Sequence, residues 1–148
     1  MHCDILITGA ELLTPDYKVE HDRAIAIVGQ RIAEIGPTAE MAAKYQAAQL
    51  VSGEGKLAMP GLVDAHTHTC QQLLRARATD EYPMIWTRFL VPFESNLTPD
   101  DVYWSAQLAC LEMIKSGTTS FADSGGVHMD RVVQAVLESG MRAAIARS

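Results

Sequence analysis

At 148 residues, 48% of them hydrophobic, with a formal net charge of −6, the chain suits a soluble globular domain with an apolar core. The acidic balance without a Lys/Arg cluster argues against nucleic acid as a partner. No apolar run approaches the roughly 20 residues of a membrane span, and the start Met1-His2-Cys3-Asp4 lacks a signal-peptide pattern, so no membrane association is expected. Three widely spaced cysteines, Cys3, Cys70 and Cys110, read as reduced thiols of a cytoplasmic protein rather than as a disulfide frame.

Residues 1–58 read as short strands. Ile5-Leu6-Ile7 begins the first, which breaks at Gly9 and resumes at Glu11-Leu12-Leu13. Ala24–Val28 and Arg31–Ile35 flank Gly29-Gln30, a two-residue hairpin connection with Gly at the first turn position. Thr38 is expected to cap a short helix through Tyr45. Leu50-Val51 and Lys56-Leu57-Ala58, around a Gly53-Glu54-Gly55 turn, make a further small β element. This segment carries no concentrated chemistry.

At Met59-Pro60-Gly61 the style changes to alternating strands and helices. An apolar strand runs through Leu62-Val63-Asp64-Ala65 into His66-Thr67-His68. Side chains on a strand alternate faces, so His66 and His68 point to the same side as a bidentate grip for a transition metal. Val63, Ala65 and Thr67 face the other way, where helices would cover them. Thr98-Pro99-Asp100-Asp101 is a strong helix start, with Thr as N-cap, Pro at the first position and acids in the first turn. Val102, Ala106, Ala109 and Met113 give the inward stripe, widened by Tyr103, Cys110 and Ile114, and Gly117 is the stop. Thr118–Ala122 reads as a second strand, Asp130–Ser139 as a helix with Val133, Val136 and Leu137 inward, and Ala143–Ala146 as a third strand. Strand, helix, strand, helix, strand implies parallel β/α units.

Pro60 to His68 resembles the strand-one metal signature of the amidohydrolase superfamily. Gln72-Leu73-Leu74-Arg75, Leu97 to Trp104, Glu112 to Thr119 and Gly140-Met141-Arg142-Ala143 narrow the resemblance to its metal-dependent aminohydrolases, the subgroup of methylthioadenosine/S-adenosylhomocysteine deaminases and triazine chlorohydrolase-like enzymes. The fold it implies is α/β: residues 1–58 as part of a small β-sandwich, and residues 59–148 as the first three β/α units of a TIM-type barrel. A whole barrel needs roughly 250 residues. The chain is therefore expected to be the front of a larger protein, or one of two chains that complete each other, and a homo-oligomer when complete.

The resemblance also implies one divalent metal ion, Zn²⁺ most of all and Fe²⁺ otherwise, on His66 and His68, with further ligands and the proton-shuttling glutamate outside this chain. Metal-activated hydroxide would attack the ring carbon of an amino-substituted heterocycle, an adenosine-type nucleoside, and release ammonia. Trp86 matches a tryptophan that packs against this small-molecule substrate, in the long loop after strand one. Glu94 matches a glutamate that binds ribose hydroxyls. Arg147 matches an arginine at the tip of strand three that reaches a carboxylate-bearing tail. Where the subgroup usually has Leu-Arg-Gly, this chain has Leu74-Arg75-Ala76.

Around these, His128 reads as a solvent-exposed histidine past strand two, Asp64 as a hydrogen-bond partner deeper in strand one, Asp123 as a support for the ligands rather than a ligand, and Cys70 as a small apolar filler. His2 and His21 read as surface residues. The alternatives to a deaminase are another amidohydrolase, acting on a chlorotriazine or a cyclic amide, and a non-catalytic assembly module. The 148 residues alone are expected to be inactive.

Overall fold

The computed structural model describes residues 1–77 and 84–147. The chain divides into two compact units, Met1–Pro60 and Gly61–Ser148.

The first unit is built on one long strand. β1 (His2–Leu13) pairs antiparallel with β2 (Val19–Val28), which pairs antiparallel with β3 (Arg31–Pro37). On its other side β1 takes two parallel neighbours in succession, β4 (Gln46–Ser52) and β5 (Leu57–Ala58). The expected break at Gly9 is a bulge: Gly9 has φ +71° and the register shifts between Ile7 and Ala10, yet the strand continues. Ile7, Ile25 and Ile35 form one cross-strand row and Ile5, Ile27 and Ile32 the next, all on one face. On the opposite face α1 (Thr38–Lys44) sets Met41 against Leu6, Ala24 and Ala26. Thr38 does not cap this helix. Its hydroxyl accepts from Gly9 N–H and donates to the Asp22 carbonyl, so Pro37 stands at the cap position without a side-chain bond.

The second unit holds three parallel strands in the order β6-β7-β8: Leu62–Thr67, Thr118–Asp123 and Arg142–Ile145. Between β6 and β7 the chain forms a 3-10 turn (Thr69–Leu74), a π-helical turn (Trp86–Leu90) running into α2 (Val91–Glu94), and the long α3 (Pro99–Ser116). The expected loop carrying Trp86 and Glu94 is thus helical over those residues, which puts Trp86, Leu90 and Glu94 along one side. Ala78 to Pro83 lie outside the described residues. α4 (Met129–Ser139) joins β7 to β8. Among the described residues no helix is long and apolar enough to cross a membrane.

α3 begins and ends where its sequence says it should. The Thr98 hydroxyl accepts from Asp101 N–H at 3.2 Å, and the Asp101 carboxylate accepts from Thr98 N–H at 2.8 Å. Gly117 terminates the helix at φ +83°, a conformation that costs a residue with a Cβ about 1–2 kcal/mol. Val102, Ala106, Ala109 and Cys110 are buried as expected, and Val102, Ala106 and Cys110 share one cluster with Phe121 of β7 and Val132, Ala135 and Val136 of α4, whereas Ile114 is exposed at the margin of the stripe. Val136 of α4 is buried as expected, together with Met129, Val132 and Ala135, whereas Val133 and Leu137, also expected inward, are 42% and 76% exposed. The helix carries apolar residues on two adjoining faces, and the one holding Met129, Val132, Ala135 and Val136 joins the cluster with Val102, Ala106 and Cys110 of α3. Val63 and Ala65 are exposed rather than covered, because α3 and α4 pack on β7 and β8.

Thr98→Ala is expected to destabilise the chain by about 1 kcal/mol in urea unfolding, through loss of the cap. The bonds from Thr98 hold the Asp101 carboxyl below its ordinary value of 3.8. The folded pKa is therefore depressed, so this stabilisation is fully present above that value and is lost as pH falls further through the folded pKa. Asp101→Asn should therefore lower stability near neutral pH and flatten the acid limb of the stability–pH curve, the two proteins converging as pH falls.

Candidate active site

The two histidines sit where β6 ends. The register aligns Thr67 with Asp123, and Asp123 with Ile145, so the carboxyl ends of the three strands form one row. Ser124 N–H donates to the Thr67 carbonyl at 2.9 Å and Ala146 N–H to the Asp123 carbonyl at 3.0 Å, tying the residues just past that row together. Extended backbone continues through His68 (φ −128°, ψ 94°), so His66 and His68 stay on one side, their rings 5.3 Å apart and 81° from coplanar.

Each imidazole is held through Nδ1. His68 Nδ1 lies 2.9 Å from the Gly125 carbonyl oxygen, and His66 Nδ1 lies 2.9 Å from Ser124 Oγ. A carbonyl can only accept, so the neutral His68 ring carries its proton on Nδ1 and keeps a lone pair on Nε2. The Ser124 hydroxyl can accept from His66 in the same way. Two neutral imidazoles with free Nε2 lone pairs on one face fit a divalent transition metal. Among the described residues, no group of three or more His, Cys, Asp or Glu side chains is placed to hold a metal ion. The fit therefore extends to two ligands.

The carboxylates nearby are already engaged. Asp64 Oδ1 accepts from His66 N–H at 3.1 Å. Asp123 is 3% exposed; its Oδ2 accepts from Thr69 N–H at 3.1 Å and from the Thr69 hydroxyl at 2.5 Å, and its Oδ1 from Gly125 N–H at 2.9 Å. Cys70 is fully buried beside them. Burial first, and the Glu94 and Asp123 charges second, push its thiol up to about 12. Cys70 fills space against Gly126.

The remaining candidates line cavities at this end of the sheet. Trp86, 62% exposed, lines a cavity of about 300 Å³ with His68, Gln71, Leu90 and Glu94. The Glu94 carboxylate accepts from Gln71 Nε2. Glu94 also borders a larger cavity of about 850 Å³, whose wall includes His128, Asp130, Ile145 and Arg147. His128 is exposed, stands at φ +51° before α4, and bonds the Leu97 carbonyl through Nε2 at 3.2 Å. His66 and His68 share a third cavity of about 400 Å³ with Gln71 and Arg75. His2 and His21 are exposed, in the other unit.

Sequence reading had no place for Thr69 or Ser105. Ser105 carried a signal: a polar residue three positions after Val102, inside the inward stripe of α3. Thr69 carried none beyond following His68. Ala76 is also notable, because it adopts φ +59° where the resemblance leads one to expect glycine.

This arrangement sets a His-x-His pair at the carboxyl end of the first of three parallel strands, with a buried carboxylate beside it. The chain belongs to the amidohydrolase family, whose pattern matches residues 57–148. A 5-methylthioadenosine/S-adenosylhomocysteine deaminase of Pelotomaculum thermopropionicum is 46% identical over 148 residues, covering 97% of this chain and 34% of that protein. The protein of the same description from Syntrophobacter fumaroxidans is 39% identical over 145 residues, covering 96% of this chain and 33% of its own length. Among solved structures, an adenosine deaminase from Xanthomonas campestris with bound zinc superposes with a TM-score of 0.88 at 32% identity, over 96% of this chain and 33% of that one. Atrazine chlorohydrolase from Arthrobacter aurescens, complexed with zinc, shares the fold, with a TM-score of 0.81 at 23% identity over 97% of this chain and 35% of that one. The chain spans about a third of the length of the curated relatives it matches.

A Cβ added at Gly126 would lie 2.6 Å from Cys70 Sγ. Gly126→Ala is expected to cost about 1–3 kcal/mol. A double-mutant cycle with Cys70→Ala, read by urea unfolding, should recover a coupling of about 1 kcal/mol, because the smaller side chain removes the clash.

Proposed function

We propose that this chain supplies the first metal ligands of a hydrolytic deaminase acting on an amino-substituted heterocycle, an adenosine-type nucleoside such as methylthioadenosine or S-adenosylhomocysteine. The observation that carries the reading is the pair of imidazoles on one side of the β6 end, each engaged through Nδ1. His66 and His68 would hold one divalent cation through Nε2, zinc by preference over iron; zinc in the Xanthomonas structure supports that choice. When bound, such a cation supplies a water whose pKa is lowered to about 7, a nucleophile at neutral pH.

The chain's other residues then bind and orient. Trp86 forms an apolar wall beside His68 against which a purine ring can stack. Glu94, reaching both cavities, accepts hydrogen bonds from ribose hydroxyls after Gln71 yields its place. Arg147, across the larger cavity, pairs with a carboxylate on the substrate's tail. A catalytic metal site needs at least three protein ligands, so the reading takes the rest of the ligands and the proton shuttle from outside these residues.

The same reading assigns residues 59–148 to the first three β/α units of a TIM-type barrel and residues 1–58 to part of a small β-sandwich. Exposed Ile32 and Ile35, on the isoleucine face of the first unit, support a covering second sheet. Edge strands β6 and β8 support completion by further units, and the complete protein is read as a homo-oligomer. Three free, buried cysteines support a reducing compartment, the cytoplasm. Chloride release from a triazine is the second reading. The deaminase is preferred because relatives at 39–46% identity carry deaminase names, whereas the chlorohydrolase likeness is one of fold.

The test is ammonia release from adenosine-type substrates by the whole protein that carries this segment, with metal analysis of the same sample. The reading predicts ammonia release with about one zinc per active site, and loss of both metal and turnover in His66→Ala and His68→Ala. Turnover that survives both substitutions would overturn it.

A further inference from the structure

Among the described residues, the buried polar side chains are Thr69, Ser105 and Asp123, and all three belong to one hydrogen-bonded cluster next to His68. Ser105, on α3, donates its hydroxyl to the Thr69 carbonyl at 2.7 Å and accepts from Gln72 N–H at 3.0 Å. Thr69 gives both its N–H and its hydroxyl to Asp123 Oδ2, and Gly125 N–H is taken by Asp123 Oδ1. Gly125 in turn presents its carbonyl to His68 Nδ1. Every donor around Asp123 is satisfied, and no buried side-chain nitrogen or oxygen among the described residues lacks a partner.

We propose that Asp123 is a positioning residue for His68. Its carboxylate locks the Gly125 peptide, and the Gly125 carbonyl fixes the imidazole in the tautomer that leaves Nε2 free. Two features point beyond mere packing. The carboxylate grips both chain segments that flank His68: Thr69 directly after it, and Gly125 across the sheet. Ser105 anchors the same segment from the far side, so the end of β6 is held between α3 and the end of β7. A solvated histidine prefers the proton on Nε2, the tautomer that cannot ligate there, so the carbonyl contact must work against that preference. The metal consequence rests on His66 and His68 being ligands; the tautomer consequence does not.

An amide at position 123 has one acceptor oxygen where the carboxylate has two. Asp123→Asn must therefore leave either the Thr69 pair or Gly125 N–H facing a donor. The experiment is nitrogen NMR of the labelled imidazoles in metal-free protein, at a pH where His68 is neutral, followed by zinc titration of the same samples. The expected result is a His68 Nδ1–H tautomer in the wild type, a shift towards Nε2–H in Asp123→Asn, and a fall in zinc affinity of about 10–100-fold. If Asp123→Asn fails to fold, Thr69→Val takes its place, with the same shift expected and Thr69→Ser restoring the wild-type spectrum. An unchanged Nδ1–H tautomer in a folded variant overturns the proposal. Measured on the whole protein that carries this segment, a tautomer shift without zinc binding by the wild type upholds the positioning role and refutes the metal reading instead.

Discussion

A buried carboxylate can persist only where donors surround it, and the second unit of this chain is arranged so that they do. Asp123 sits at the end of the middle strand, where the parallel register brings Thr67 alongside on one flank and Ile145 on the other. Its three donors come from the segments that leave β6 and β7. The consequences run outward from there. The β6 exit turns into a 3-10 helix at Thr69, Cys70 is driven against Gly126, and the Gly125 carbonyl faces His68. Removing the charge would disturb a turn, a packed contact and a histidine together, because all three are fastened to the same two oxygens.

Much of this was legible in the sequence, and the reasons are local. His66 and His68 share a face because a strand alternates, whatever packs around it. Helix α3 starts at Thr98 and stops at Gly117 because the cap and the left-handed terminus are settled by neighbours within four residues. What escaped depended on tertiary choice. The α4 stripe was read through Val133, Val136 and Leu137, yet of these Val136 alone is buried, beside Val132 and Ala135; packing against α3 decides between two adjoining apolar faces. The helical state of Trp86–Glu94 was hidden by Pro92, which is tolerated because it stands in the first turn of α2. The Thr69–Ser105–Asp123 cluster joins residues 36 and 54 positions apart, a separation no window-based pattern spans.

The family relationship and the geometry limit each other usefully. Membership in the amidohydrolase family rests on residues 57–148, the unit that carries both histidines. The first unit, by contrast, contributes packing: its isoleucine rows and Met41 cluster hold no chemistry, and its histidines are exposed. Cys70, read from the sequence as a small apolar filler, is fully buried, and its sulfur fills the space beside Gly126.

The central claim is that both imidazoles offer Nε2 to one cation. Loading the protein with an NMR-active cadmium isotope and recording cadmium–nitrogen couplings to labelled histidines tests it most directly. The account predicts coupling to Nε2 of both His66 and His68, with the Nδ1 proton of His68 retained. Coupling through Nδ1, or coupling to one histidine and not the other, would contradict it.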